Sequence, residues 1–415
     1  MLAAAGVSHC NSASAEEPSD YANLKLSLPY GFFSESFGLA GGWVEGRVGY
    51  PQPQASVLGT VMAGSSGSVL GFVMARDLQF PSARRLFVDP IFSIGYFNDF
   101  DAYVSGNSAF PNERAGTNDS SKDNFVTGDG FDNFARMRFK YLLPLGHGAQ
   151  HIRPDYDVLN GYLADGATGG SSLNPLKSGR SFLEIRPFYR SQQVDSADFS
   201  DDIQTNGLDV TFFWDNRDFP INPTKGNGLK LQVSRDFGWL DSSDSWTVLQ
   251  AEFDAYYDFG ESEWFRSSIL AFDFWTADTP SWEESDGKVS HRPPAYTGAT
   301  LGGLWRMRGF PTQRFNDRSA IYYGTELRLT PKWNPFDNWP KVQKYFGVEW
   351  IQVAPFFELG RVASDYNLGD LHTDMQWDVG LGIRTWAQGF VLRADTAISE
   401  EGVGVQMMID YPFQF

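Results

Sequence analysis

The chain has 415 residues, with 51 acidic side chains against 33 basic ones and a formal net charge of −18 at pH 7. This acidic balance, without any run of lysine or arginine, lacks the positive surface that nucleic-acid binding requires. No window of about 18 consecutive apolar residues occurs, so the sequence predicts no membrane-spanning helix. The single cysteine, Cys10, excludes an intrachain disulfide framework.

The N-terminal sequence MLAAAGVSHCNSASAEEP has the features of the end of a secretory signal. A short apolar stretch precedes Ala13-Ser14-Ala15, a small-x-small pattern typical of a cleavage site. We therefore expect residues 1–15 to be a signal-peptide remnant and residues 16–31 to form an N-terminal periplasmic segment. A lipoprotein anchor at Cys10 is disfavoured because His9 occupies a position where a small residue is expected. An ordinary disordered N-terminus is the alternative.

Alternation of apolar and polar residues with a period of two begins before residue 50 and dominates from residue 200 onward. In the last segment Val403, Val405, Met407 and Ile409 share one face. We find fifteen such segments, near residues 35–48, 54–63, 67–79, 84–98, 130–143, 180–193, 206–217, 227–238, 245–258, 262–275, 318–330, 348–361, 374–386, 389–399 and 402–415. Closed single-chain membrane barrels have even strand numbers, so we expect a sixteenth strand near residues 22–34.

The connections between these segments alternate between short turns and long polar loops, as they do in a membrane β-barrel. Aromatic residues also cluster at strand ends, which matches interfacial girdles. The long segment 145–179 departs from this order, since by strand parity it falls on the short-turn side. It either forms a plug or cap, or the count is off by one there. A soluble sandwich or propeller is the alternative fold, because many short alternating strands suit it too.

Signals for an enzyme or a metal site are thin. The chain has no Gly-x-Ser-x-Gly elbow, no His-Glu-x-x-His motif and no phosphate-binding glycine loop. His147 and His151 lie four residues apart in a glycine-containing loop, which does not favour a metal site. An acidic run from Asn118 to Asp132 does not match the spacing of a calcium loop. We predict no enzyme activity, no catalytic residue, no cofactor and no metal.

The stretch LGGLWRMRGFPTQRF, residues 301–315, places three arginines among aromatic rings in a loop. An arginine held away from water needs carboxylate partners, or its desolvation is not compensated. Two acidic residues on alternating strands are suitable partners, Glu326 in GTELRL and Glu358 in FFELG. A solvent-exposed arginine that pairs only weakly is the alternative.

These motifs, in this order, resemble the BamA/TamA outer-membrane assembly-factor superfamily. The resemblance implies an all-β, 16-stranded antiparallel transmembrane barrel whose sixth extracellular loop folds into the lumen. It also implies that Arg308, Gly309 and Phe310 form the loop-docking motif, and that Glu326 and Glu358 are its lumen carboxylate partners. Glu358 stands where the family pattern has aspartate, which leaves the geometry of that contact open.

Two further motifs follow from the same resemblance. The family's turn motif corresponds to Asp215, Arg217, Asp218, Pro223 and Gly226 in WDNRDFPINPTKG, and the terminal Phe415 corresponds to the C-terminal assembly signal. The segment 16–31 is too short to hold the family's periplasmic POTRA domains, so we expect residues 32–415 to form a barrel without them.

In function, the resemblance implies an outer-membrane protein of a Gram-negative bacterium. Such a barrel assists insertion or translocation of outer-membrane proteins or lipids through a lateral strand seam. The implied partners are outer-membrane lipids, both lipopolysaccharide and phospholipid, with outer-membrane protein clients or a periplasmic or lipoprotein accessory, and no nucleic acid. A gated pore or a structural outer-membrane protein is the alternative, and an outer-membrane hydrolase is a third class.

Overall fold

The computed structural model describes residues 25–34, 36–196, 200–285, 288–387 and 390–409. Sixteen antiparallel strands form one sheet in which each strand pairs with the next in chain order. They are β1 (Lys25–Ser34), β2 (Gly38–Val48), β3 (Ser56–Gly64), β4 (Val69–Arg76, continuing as Leu78–Gln79), β5 (Leu86–Ala102), β6 (Val126–Leu142), β7 (Arg180–Asp195), β8 (Ser200–Asp215), β9 (Gly226–Phe237), β10 (Ser245–Asp258), β11 (Phe265–Asp278), β12 (Ser319–Pro331), β13 (Val348–Ala363), β14 (Gln376–Ala387), β15 (Phe390–Ser399) and β16 (Gly402–Ile409). The predicted sixteen-stranded barrel is confirmed.

The first strand corrects one predicted boundary. β1 begins at Lys25, inside the segment predicted to be periplasmic, so the barrel begins before residue 32. Leu26 and Leu28 are buried on one face of this strand, but Pro29 and Gly31 on the other face weaken the alternation that the sequence offers. The predicted signal remnant 1–15 and Phe415 lie outside the described residues.

The two faces of the sheet differ as a membrane barrel requires. Apolar side chains on the outer face are exposed, including Val210, Leu231, Val233 and Val379. Polar and charged side chains on the inner face are buried, since they pair with charged groups of neighbouring strands and of residues 279–318, which return into the lumen. Among the described residues, no helix is long and apolar enough to span a membrane.

Strand parity sorts the connections into two ends. The sixth connection on the long-loop end is residues 279–318, named loop 6 here. The opposite end carries the short turns and also residues 143–179, named the cap here. This long segment therefore lies on the short-turn side, as strand parity predicted, and the strand count was not off by one. The cap contains a 3₁₀ turn at Gly146–Ala149 and a hairpin of Asp157–Leu159 with Tyr162–Asp165. A second connection at this end holds the short helix α1 (Pro340–Phe346).

The first and last strands meet differently from the other neighbours. Among the described residues, no ladder of backbone hydrogen bonds joins β1 to β16, and we call this junction the seam. Phe346 at the end of α1 and Phe390 at the start of β15 instead pack against buried Leu26, Leu28 and Val44 of β1 and β2. Apolar side chains therefore hold the two sides together near the short-turn end.

Candidate functional site

Loop 6 returns into the barrel and fills the lumen near the long-loop end. Two short strands, Ala299–Leu301 and Phe315–Asp317, pair with each other and fix the returning segment as a hairpin. Met307, Phe310 and Phe315 of this segment are almost fully buried. They belong to one apolar cluster with inner-face residues of β10 to β13, so burial of apolar surface drives the loop inward.

Arg308 lies at the centre of this segment and is fully buried. Its Nη1 donates to Glu326 Oε1 at 2.8 Å and to Asp395 Oδ2 at 2.7 Å. Its Nε lies 3.2 Å from Glu358 Oε1, and its backbone N–H donates to Glu358 Oε2 at 2.7 Å. The guanidinium carbon is 3.5 Å from the centre of the Phe356 ring. Three strands thus contribute carboxylates to one arginine, and an aromatic ring covers one face of its guanidinium group.

Glu326 and Glu358, the two predicted partners, are both fully buried in this network. Glu326 also accepts hydrogen bonds from Arg384 Nη2 at 2.6 Å and from Arg328 Nε at 3.0 Å. Glu358 also accepts the hydroxyl of Tyr322. The longer glutamate therefore reaches the loop from β13, where the family pattern has aspartate.

Gly309 and Phe310 continue the docking segment. The backbone N–H of Gly309 donates to Asp378 Oδ2 at 2.9 Å, and its carbonyl accepts Ser399 Oγ at 3.0 Å. A side-chain carbon at position 309 would lie 2.6 Å from Asp378 Cβ, so only glycine fits. Phe310 packs edge-on against Phe315 with 5.0 Å between ring centres. The loop backbone is thereby joined to β14 and β15.

The other two arginines of the stretch bind other parts of the molecule. Arg306 Nη2 donates to Glu252 Oε1 at 2.5 Å, and its guanidinium carbon lies 4.3 Å from the centre of a Trp275 ring. Arg314 donates to Glu401 and to the backbone carbonyl of Ser120, which lies in the long loop between β5 and β6. Trp305 is 42% exposed and takes no part in the buried cluster.

The predicted turn motif forms a compact hydrogen-bonded turn at the short-turn end. Arg217 donates to both oxygens of Asp215, at 2.7 and 2.9 Å. Asp218 accepts backbone N–H groups of Phe219 and Thr224, at 2.9 and 3.0 Å. Gly226 has a φ of +99°, and Pro223 is buried. Asp218 therefore closes the turn from β8 to β9.

The cap is hydrogen-bonded to this turn motif. Asn216 donates through Nδ2 to the carbonyl of Ser172 at 3.0 Å, and its Oδ1 accepts Ser178 Oγ at 2.6 Å. The backbone N–H of Thr168 donates to the Asp218 carbonyl at 3.1 Å. On the far side of the mouth, Tyr156 and Tyr162 pack beside Trp350 and Trp386. The cap thus reaches from the turn motif to β13 and β14.

A second attachment joins the cap to the end of β4 and to the turn between β4 and β5. Arg153 in the cap donates through Nε to Gln79 Oε1 at 3.0 Å, and Arg85 donates through Nη1 to the Gly148 carbonyl at 2.9 Å. Because β4 and β14 lie far apart around the sheet, the cap lies across the lumen mouth.

The minor candidates of the sequence do not gather into a metal site. His147 and His151 stack with their ring centres 4.6 Å apart, and no group of three metal-ligating side chains occurs among the described residues. In the acidic run, Asn124 binds Glu113, and Asp132 pairs with Arg190.

Sequence reasoning missed several members of the Arg308 network. Asp378, Asp395 and Arg384 lie on the inner face of β14 and β15 and are almost fully buried. Their alternation with apolar neighbours marks the inner face, but it does not reveal which loop they bind. Asn216 was missed because it lies between Asp215 and Arg217 at a position that the turn motif does not specify.

The fold and the buried arginine of loop 6 define a class of protein, an outer-membrane β-barrel closed from within by an extracellular loop. The Omp85 superfamily domain matches residues 87–415, more than half of the chain. The chain belongs to the Omp85 superfamily, and its barrel is that of a Gram-negative outer-membrane protein.

The chain is similar to two solved structures, of which CdiB supports this fold. CdiB from Escherichia coli matches with a TM-score of 0.57 and 9% identity, over 96% of this chain and 62% of that one. The chain thus spans less than two thirds of CdiB. BamA from Haemophilus ducreyi lacking POTRA domains 1-3 matches with a TM-score of 0.45 and 13% identity, over 93% of this chain and 69% of that one. A search of curated protein sequences gave no match.

Proposed function

We propose that this barrel assists insertion or translocation of outer-membrane proteins or lipids through the seam between β1 and β16. The observation that carries the proposal is that, in the part of the chain that the structure describes, this one junction has no backbone ladder, whereas the other fifteen junctions of the sheet are all paired. Unpaired strand edges are templates for pairing with another chain. Inside a bilayer, an incoming strand would satisfy backbone groups that lipid cannot.

The lumen is covered at both ends, which supports a route for the client through the barrel wall. At one end, loop 6 is buried and is covered by the long loop between β5 and β6, since the Asn316 N–H donates to the Gly116 carbonyl at 2.7 Å. At the other end, the cap lies across the mouth. A client that enters along the barrel axis would have to displace both.

The Arg308 network supports the same route by stiffening one side of the seam. Asp395 and Ser399 attach loop 6 to β15, and the Arg308 carbonyl lies so close to Gly404 that an added side-chain carbon would be 2.4 Å from it. We propose that the docking motif and its two glutamates hold β15 and β16 in place while β1 moves.

The proposed clients are outer-membrane proteins or lipids, and the proposed partners are outer-membrane lipids together with a periplasmic or lipoprotein accessory that delivers the client. The proposed role involves no bond-making or bond-breaking step, so the chain would not be an enzyme.

A disulfide across the seam tests the proposal. Cysteine pairs would be scanned between β1 and β16 in a Cys10→Ser background, and insertion of an unfolded barrel protein into liposomes would be measured before and after reduction. The unmutated barrel should accelerate this insertion. Oxidation of the seam variant should abolish the acceleration, and reduction should restore it. The control is Val210→Cys with Val233→Cys, because these residues face each other on the firmly paired β8 and β9. Full activity of the oxidised seam variant would refute the proposal.

Conductance separates this role from that of a gated pore. With the lumen filled, the unmutated protein should show no large, steady openings in planar bilayers. Such openings would favour the pore.

A further inference from the structure

A cavity of about 340 Å³ lies where the cap meets the turn from β8 to β9. Its walls include His147 and His151 from the first part of the cap, the small residues Gly169 and Gly170, and Lys177 from the last part. Lys225 closes it from the turn motif.

The charge of the cavity is unusual for this chain. The net charge of the protein is −18, yet the described residues that line the cavity include two lysines and two histidines but no aspartate or glutamate. Burial, with help from His151 and Arg180, lowers the pKa of His147, so its imidazole is mainly neutral at pH 7 and offers a ring N–H donor. Lys177 and Lys225 are exposed and supply the positive charge. This combination suits an oxyanion such as phosphate.

The position of the cavity relative to the membrane follows from β8. Val210 lies on the outer face of this strand and is 42% exposed, and Trp214 follows on the same face, four residues nearer the short-turn end. The Trp214 indole N–H donates to the Ser178 carbonyl at 3.0 Å, and Ser178 lines the cavity. The cavity therefore lies just beyond the apolar belt, at the level of the lipid headgroups.

The cap also presents exposed apolar side chains in the segment between two residues that line the cavity, Ser171 and Lys177. Leu173 is 81% exposed and Leu176 is 66% exposed, and both precede Lys177 in the sequence SSLNPLKSG. Exposed leucines beside a cationic site are costly in water but stabilising where acyl chains meet headgroups. This second observation favours a phospholipid over a soluble anion.

We propose that this cavity binds the phosphate group of an anionic phospholipid in the leaflet at the short-turn end, with Leu173 and Leu176 against its acyl chains. The cap is thereby anchored to the bilayer as well as to the barrel. The site is independent of the seam and of any insertion activity.

Native mass spectrometry of the full chain in detergent tests the proposal, with phosphatidylglycerol and phosphatidylcholine of identical acyl chains as probes. The protein should retain phosphatidylglycerol preferentially. Lys177→Gln with Lys225→Gln should weaken this binding about twenty-fivefold, since each lysine beside an anionic headgroup adds roughly fivefold. The control is Lys341→Gln with Lys344→Gln on α1, which should leave the binding unchanged. A semi-native gel verifies that each variant keeps its folded barrel.

Two further measurements distinguish a phospholipid headgroup from free inorganic phosphate as the ligand. Leu173→Ser with Leu176→Ser should weaken binding of phosphatidylglycerol, and millimolar inorganic phosphate should compete poorly with the lipid. If inorganic phosphate binds as well as the lipid and the leucine variant binds normally, the lipid is the wrong ligand. Equal retention by the unmutated protein and the Lys177/Lys225 variant would overturn the site itself.

Discussion

The wall formed by β12 to β15 and the wall formed by β1 and β2 are built from the same alternation but are held by different forces. The inner face of the first carries Glu326, Glu358 and Arg384, all fully buried and joined to loop 6. The inner face of the second carries Leu26, Leu28 and Val44, which contact Phe346 and Phe390. Directional ion pairs fix a geometry, whereas apolar contacts tolerate sliding. The comparison indicates one rigid wall and one adaptable wall on the two sides of the seam.

The largest expected effect follows from removing Arg308. Arg308→Ala leaves Glu326, Glu358 and Asp395 buried without their shared partner, and breaking a buried ion pair in this way costs about 3–5 kcal/mol. Loop 6 should then become sensitive to protease, and the heat-modifiable mobility of the folded barrel should be lost at a lower temperature.

Arg318→Ala is the matched control in the same loop. Arg318 is 30% exposed and pairs with Asp365 at the rim, so its loss should cost about 1 kcal/mol or less. Equal protease resistance in the two variants would show that the buried network does not hold the loop.

A smaller effect is expected in the adaptable wall. Phe390→Ala removes a half-buried ring from the contact with Leu26 and Leu28, and should cost about 2 kcal/mol, less than the roughly 3–5 kcal/mol of a fully buried phenylalanine. In a Cys10→Ser background, a Leu28→Cys probe should react faster with a water-soluble maleimide when Phe390 is replaced. Replacement of the lipid-facing Phe357 by alanine should leave that rate unchanged.

The smallest effect concerns the cap. Asp218→Asn weakens the acceptor that closes the turn motif, and the loss should be about 1 kcal/mol. Limited proteolysis should then cut residues 143–179 faster while the barrel stays folded. Asp258→Asn is the comparison, because Asp258 accepts the Gly260 N–H within its own exposed turn at the same end of the barrel. If both variants leave the cap equally resistant, the turn motif does not secure it.

The alternation of side chains was enough to locate the strands, because inward and outward positions differ chemically in a membrane barrel. It was weakest at β1, where Pro29 and Gly31 interrupt the outer face. The arginine-rich loop and the two glutamates were recognised from the sequence itself, and resemblance to a family selected Arg308 as the docking arginine. The remaining partners, such as Asp395 and Asp378, could not be predicted, because contacts between a loop and strands distant in sequence depend on the path of the loop. The cap was noticed only because a long segment falls on the side of the barrel that otherwise carries short turns. No local sequence pattern shows that such a segment lies across the lumen mouth.

Hydrogen–deuterium exchange of the unmutated protein in lipid nanodiscs tests the central claim most directly. Backbone amides of β1 and β16 should exchange much faster than those of β12 and β13. Over their described residues 25–34 and 402–409, β1 and β16 share no ladder, whereas β12 and β13 are paired with each other and anchored to loop 6. Equal protection of the two pairs of strands would contradict the account, since the seam would then be an ordinary closed junction.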